Sequence, residues 1–93
     1  METRAYHVFG RVQRVGFRWW THRVAEELGL VGDVRNLPDG SVEVRAAGAL
    51  EALDALERAL REGPPSSRVE RVAVELLAGH PTAPWTEFSI GRD

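Results

Sequence analysis

An α+β fold, with two helices packed on one face of an antiparallel sheet, is what this sequence predicts from three observations. Segments of period two and of period 3.6 follow one another as strand, helix, strand, strand, helix, strand, with a short strand trailing. Turn signals punctuate that order, Pro38-Asp39-Gly40 and Gly63-Pro64-Pro65 above all. The chain has 93 residues, 43% apolar and 28% charged, which is enough for one hydrophobic core and too little for two.

Each element has its own justification. Tyr6, Val8 and Val12 alternate with His7, Arg11 and Gln13, as in a half-buried strand, and Phe9 leaves the second face only partly wet. From Phe17 the period changes. Phe17, Trp20, Val24, Ala25 and Leu28 share a helical face, Arg23, Glu26 and Glu27 lie elsewhere on the wheel, and Gly29 sits where a helix ends. Leu30 to Asn36 reads as the second strand. After the turn, Val42, Val44 and Ala46 alternate with Ser41, Glu43 and Arg45 and pair back as a hairpin. Gly48 is expected to open the second helix, with Leu50, Leu53, Leu56 and Leu60 as its stripe. Glu51 and Asp54 lie early and Arg58 and Arg61 late, an order that suits the helix dipole. Val69 to Leu77 gives a fourth strand with Val72, Val74 and Leu76 on one face. Gly79-His80-Pro81 starts a loop, and Trp85 to Ile90 closes the chain as a short strand. The order βαββαβ is the ferredoxin-like arrangement, expected as a single domain over residues 1–93.

Composition removes several chemistries. Formal net charge is -2, so no overall basic field holds the protein to nucleic acid or an anionic membrane, and neither partner is expected. All twelve basic residues are arginine, which excludes Schiff-base lysine chemistry, and the absence of cysteine excludes thiol catalysis, disulfides and thiolate metal sites. Met1-Glu2-Thr3-Arg4 has no long apolar run behind it, and no stretch approaches the roughly 20 residues needed to span a bilayer. A cytoplasmic monomer is the expectation.

Gly10-Arg11-Val12-Gln13-Arg14-Val15-Gly16-Phe17-Arg18 is the most informative run. A strand stops at a glycine-punctuated bend and a helix begins at once, so main-chain N–H groups converge where the helix also presents its positive end. Arg18, in the first turn, adds a planar five-donor guanidinium. Together these make a socket for a phosphate-sized anion. The first helix carries the chain about 16 Å away, and the second strand returns it by about 23 Å in the opposite sense. Asn36, at the end of that strand, should therefore lie beside Arg18.

The run Gly10 to Arg18 precedes Ala25-Glu26-Glu27-Leu28-Gly29-Leu30, Gly32-Asp33-Val34-Arg35-Asn36 and Asp39-Gly40-Ser41-Val42-Glu43. With Pro65-Ser66-Ser67-Arg68-Val69 and Phe88-Ser89-Ile90, this ordered set resembles the acylphosphatase family over nearly the whole chain. The resemblance implies the ferredoxin-like fold and hydrolysis of acyl phosphates to a carboxylate and inorganic phosphate, the latter a product or inhibitor. It implies no metal, no cofactor and no covalent intermediate. Carried over by position, Arg18 matches the phosphate-binding arginine and Asn36 the asparagine that positions the attacking water. Gln13, Arg14, Val15, Gly16 and Phe17 match the phosphate cradle, which acts through main-chain N–H groups. Arg14 departs from the family's usual glycine. If that position needs positive φ, a side chain there costs roughly 1 to 2 kcal/mol. It either narrows the cradle or points to solvent and adds charge for an anionic substrate. Leu37 stands where some members carry a hydroxyl residue.

Blander readings stand beside these. Arg18 alone would be a surface helix residue and Asn36 alone a strand-end residue; their expected proximity lifts both. Gly10 is read as a close-packing glycine. Five residues separate Gly10 from Gly16, and Phe17-Arg18 replaces the Lys-Ser/Thr pair, so the bend is not a nucleotide-binding loop. His22 and Glu26, one turn apart, read as an exposed helix pair before a metal site. Trp20 fits the core stripe, while Trp19 either flanks the site mouth or covers surface. Two alternatives remain: a non-catalytic anion-binding or regulatory module that lost competence through Arg14, and an RNA-binding domain of the same element order. The second expects a basic sheet face with stacking aromatics, whereas the third strand offers Ser41, Glu43 and Arg45.

Overall fold

The computed structural model describes residues 2–77 and 85–91. Seven elements succeed one another: β1 (Glu2–Arg11), α1 (Phe17–Glu27), β2 (Val31–Asn36), β3 (Val42–Gly48), α2 (Leu50–Glu62), β4 (Arg68–Leu76) and β5 (Phe88–Ile90). The sheet order is β4-β1-β3-β2-β5. The four longer strands pair antiparallel, as the element order predicts, and β5 adds to the outer edge of β2 in parallel. The expected loop at Gly79-His80-Pro81 lies outside the described residues.

Tyr6, Val8, Val34, Val42, Val44 and Ala46 turn one face of the sheet inward and are fully buried there. Leu53, Leu56 and Leu60 of α2 and Phe17 and Ala25 of α1 close over them. Fully burying an aliphatic or aromatic side chain of this size stabilises the fold by roughly 1.5 to 3 kcal/mol. The Tyr6 hydroxyl donates to the Leu53 carbonyl at 2.9 Å, fastening α2 to the central strand. The opposite face is laced with charge. Arg45 reaches Asp33 through two bonds of 3.0 and 2.6 Å, and Arg35 reaches Glu43 at 2.9 Å.

Several details differ from the sequence reading, the closing strand among them, since it spans Phe88–Ile90 and not Trp85 to Ile90. Gly48 closes β3, and Ala49 is the N-cap of α2. Leu50, the first residue of α2, is exposed, so the buried stripe begins at Leu53. On β4 only Val72 is buried; Val74 and Leu76 are exposed, since β4 is an edge strand and the helices do not cover its far end. Gly10 does pack closely. It marks a register shift between β1 and β4, with φ 132, and a Cβ there would collide with the Arg68 carbonyl oxygen. Such an irregularity bends the end of β1 toward the loop that leads into α1.

Candidate active site

Pairing direction decides where the site forms. β1 and β2 both run antiparallel to β3, so they point the same way, and β5 runs parallel to β2. The C-terminal ends of all three strands therefore meet at one end of the sheet. Val42 of β3 pairs with Val8 on one side and Asn36 on the other, so Asn36 lies level with Val8, near the C-terminal end of β1. The approach to β4 arrives at the same end, because Arg68 pairs with Arg11.

Between β1 and α1 the backbone alternates in hand. Arg14 has φ 63 and Gly16 φ 77, and Arg14 is the one non-glycine residue with positive φ among the described residues. Left-handed steps of this kind are the backbone conformation of anion-binding nests, in which successive N–H groups point to one side. Gly16 is also the N-cap of α1 and supplies no side-chain capping bond. The first intrahelical acceptor is its own carbonyl, which receives the Trp20 N–H at 3.0 Å. The N–H groups ahead of Trp20 lie beyond the reach of intrahelical bonding. A Cβ on Gly16 would meet nothing within 4 Å, so it is backbone conformation that calls for glycine here.

A cleft of about 190 Å³ opens at this end of the sheet. Of the expected site residues, Arg14, Gly16, Phe17, Arg18 and Asn36 line it together. The juxtaposition of Arg18 with Asn36, read from strand and helix lengths, is thus present. Phe17 lies at its floor, 2% exposed, and anchors α1 in the core. Gln13 and Val15 are placed differently. The Gln13 side chain turns to the β2–β3 turn, donating to the Leu37 and Ser41 carbonyls at 2.8 Å each. Val15 packs against the core, and its carbonyl accepts from the Ser66 hydroxyl at 2.9 Å. For Gln13, Val15 and Phe17, any role at the cleft falls to the main chain.

Arg18 is held from its far side. Its Nη1 donates to the Gly91 carbonyl at 2.8 Å, and Gly91 is fixed in turn through its N–H to the Val34 carbonyl at 2.7 Å. No local pattern of residues signals this contact, because it depends on β5 docking beside β2. Three further residues line the cleft: Val12 at its base, and Trp19 and Ile90 at its mouth. Trp19 is 60% exposed and Ile90 40%, so an apolar rim stands beside the polar seat. The Trp19 ring stacks on His22 at 5.8 Å, which keeps it beside the opening. His22 in turn faces Glu26 at 3.6 Å, the helix pair the spacing suggests. Among the described residues, no aspartate, glutamate or histidine lines the cleft.

The turn after Asn36 is tightly bonded. Leu37 N–H donates to the Ser41 carbonyl at 2.8 Å and Gly40 N–H to the Leu37 carbonyl at 3.1 Å. Asp39 accepts from both the hydroxyl and the N–H of Ser41, and these bonds hold its carboxyl below the usual carboxylate range. His7, from β1, meets the same Ser41 hydroxyl at 2.7 Å.

The sequence profile of the Acylphosphatase family matches residues 4–90. An acylphosphatase of Methylococcus capsulatus is 50% identical over 86 residues, covering 92% of this chain and 91% of the relative. One of Nitratidesulfovibrio vulgaris is 58% identical over 72 residues, 77% of this chain and 72% of that one. The crystal structure of acylphosphatase from Bacillus subtilis superposes with a TM-score of 0.86 at 37% identity, covering 98% of this chain and 99% of the other.

Proposed function

We propose a division of catalytic labour on the premise that this chain belongs to the acylphosphatase family and is a hydrolase of acyl phosphates. In the proposal the phosphoryl group sits in the curl of residues 13–17, with its oxygens on main-chain N–H groups and on the Arg18 guanidinium. Asn36 holds a water for attack on phosphorus. The P–O bond to the acyl oxygen breaks, the carboxylate leaves, and the water oxygen becomes the fourth oxygen of inorganic phosphate. Because the carboxylate is a good leaving group, orientation and charge stabilisation account for most of the acceleration.

One observation carries this reading: Arg18 and Asn36, 18 residues apart in sequence, line the same cleft as the curled backbone at Arg14 and Gly16. The lining also bears on the proton. A carboxamide is no base at neutral pH, and no carboxylate or imidazole lines the cleft among the described residues. The proton from the attacking water therefore goes to a phosphoryl oxygen of the substrate. Trp19 and Ile90 would take the acyl portion against their exposed apolar surfaces. Arg14, with its exposed side chain beside the cleft, adds positive charge without entering the core.

We further propose that residues 1–93 act as one domain, in the cytoplasm and as a monomer, since every group assigned above comes from one chain. No helix among the described residues is long and apolar enough to cross a membrane.

Hydrolysis of benzoyl phosphate by the wild type, Arg18→Ala and Asn36→Ala tests the assignment, with inorganic phosphate as a competitive probe of the seat. Arg18→Ala should lose phosphate inhibition and turnover together. Asn36→Ala should keep phosphate inhibition and lose roughly 10²- to 10³-fold in kcat, the scale for a preorganised polar group at a reacting centre. Full turnover in Asn36→Ala removes the water-positioning role.

A further inference from the structure

Gln13 has an amide nitrogen with two hydrogens, and the structure uses both. They go to the carbonyl oxygens of Leu37 and Ser41, 24 and 28 residues away, at 2.8 Å each. Those carbonyls are the ones that close the β2–β3 turn. Leu37 oxygen already accepts from Gly40 N–H at 3.1 Å and Ser41 oxygen from Leu37 N–H at 2.8 Å. A carbonyl oxygen has two lone pairs, so Gln13 fills the second acceptor position on each. Gln13 directly precedes Arg14, where the backbone takes its left-handed step, and Leu37 directly follows Asn36. The side chain is therefore a two-pronged strut between the loop that curls around the cleft and the turn that carries Asn36.

We propose that Gln13 is a positioning residue that sets the separation between the phosphate seat and the Asn36 carboxamide; the proposal rests on the roles given above to the cradle and to Asn36. The residue type follows from the chemistry. Two carbonyls facing one half-buried nitrogen need a neutral group with two donors, which a carboxamide supplies and neither a hydroxyl nor a carboxylate can. Gln13 acts through distance, without touching the reacting atoms. Its loss should thus lower kcat while phosphate still finds its seat.

Two substitutions separate this from a merely structural role. Gln13→Met keeps length and volume and removes both donors. Gln13→Glu keeps the shape but, when ionised, turns acceptors against two acceptors, and on protonation regains one donor. Surrounded by carbonyl oxygens, the introduced carboxyl favours its neutral form, so its pKa is raised. The repulsion is then absent below that pKa and grows as pH rises through it. His7 and Asp39 flank Ser41 in wild type and variants alike, so the measured quantity is the ratio of variant to wild-type kcat.

With benzoyl phosphate as substrate, both variants should lose roughly 10- to 100-fold in kcat near neutral pH, the cost of a displacement of about 1 Å at a reacting centre. Their inhibition by inorganic phosphate should change less than about threefold, as expected where the seat is kept. The ratio for Gln13→Glu should climb toward acid pH, and that for Gln13→Met should stay flat. A third measurement places Gln13→Met in the Asn36→Ala background, where its effect on kcat should largely vanish. Equal losses in both backgrounds, a flat ratio for Gln13→Glu, or wild-type kcat in Gln13→Met would each overturn the proposal while the catalytic assignment stands. Full activity of Asn36→Ala alone would instead refute the assignment, and the strut with it.

Discussion

Raising the pH from 9 to 12 should destabilise this protein through a single side chain. The chain has one tyrosine, no cysteine and no lysine, so Tyr6 is the only side chain that titrates in that interval. It is fully buried, and its hydroxyl donates to the Leu53 carbonyl at 2.9 Å. Burial pushes its pKa from the ordinary 10.0 up to about 12, with the Arg4 charge opposing the shift. Below pH 10 the phenol is neutral in folded and unfolded chains, and stability does not depend on it. Between 10 and 12 the unfolded chain releases the proton while the folded chain retains it, so stability falls as pH rises. Above 12 both forms are ionised and the slope flattens. Two units at about 1.4 kcal/mol each give roughly 3 kcal/mol, a large part of the 5 to 15 kcal/mol typical of a domain. Urea unfolding followed by tryptophan fluorescence at a series of pH values measures the loss, and phenolate absorbance reports the ionisation itself. Tyr6→Phe should flatten the slope while losing about 1 kcal/mol at neutral pH for the hydrogen bond. A urea midpoint that stays constant across the interval, or an unchanged slope in Tyr6→Phe, would refute the reasoning.

Arg14→Gly should stabilise the fold. The left-handed backbone at φ 63 costs a side chain roughly 1 to 2 kcal/mol, and the greater freedom of glycine in the unfolded chain offsets part of that. A gain of up to about 1 kcal/mol in urea unfolding is expected, and a loss would mean that Arg14 makes contacts outweighing its strain. Trp19→Ala should raise KM for benzoyl phosphate roughly 2- to 10-fold more than KM for acetyl phosphate, since only the aromatic acyl group can stack on the exposed indole. Equal changes for the two substrates would remove Trp19 from acyl recognition.

The sequence made the helices and the order of strands readable because each depends on neighbours a few residues away. Tyr6 and Val8 alternate, Phe17 to Leu28 follow helical spacing, and both patterns survive in the burial of the fold. The convergence of Arg18 and Asn36 on one cleft was also legible, since helix rise and strand rise fix how far the chain travels before it returns. The features that escaped depend on distant partners. Gly48 looked like a helix opening, but it ends β3 where a Cβ would lie 2.5 Å from a Leu30 methyl carbon. Val74 and Leu76 follow strand periodicity as well as Val72 does, and only the edge position of β4 leaves them exposed. The bond from Arg18 to Gly91 and the two bonds from Gln13 join residues 73, 24 and 28 positions apart, which no local pattern encodes.

Fastening at both flanks has a thermodynamic corollary. At the start of the curl, Gln13 ties the loop to the β2–β3 turn; at its middle, Ser66 holds the Val15 carbonyl; at its end, Phe17 is embedded in the core. A segment so restrained has little freedom left to surrender when an anion arrives, because folding itself has already ordered the donors. On the proposed assignment, affinity for phosphate should then rise and fall with the integrity of the whole domain. Distant substitutions that loosen the sheet or its helices would be felt at the seat before the chain unfolds.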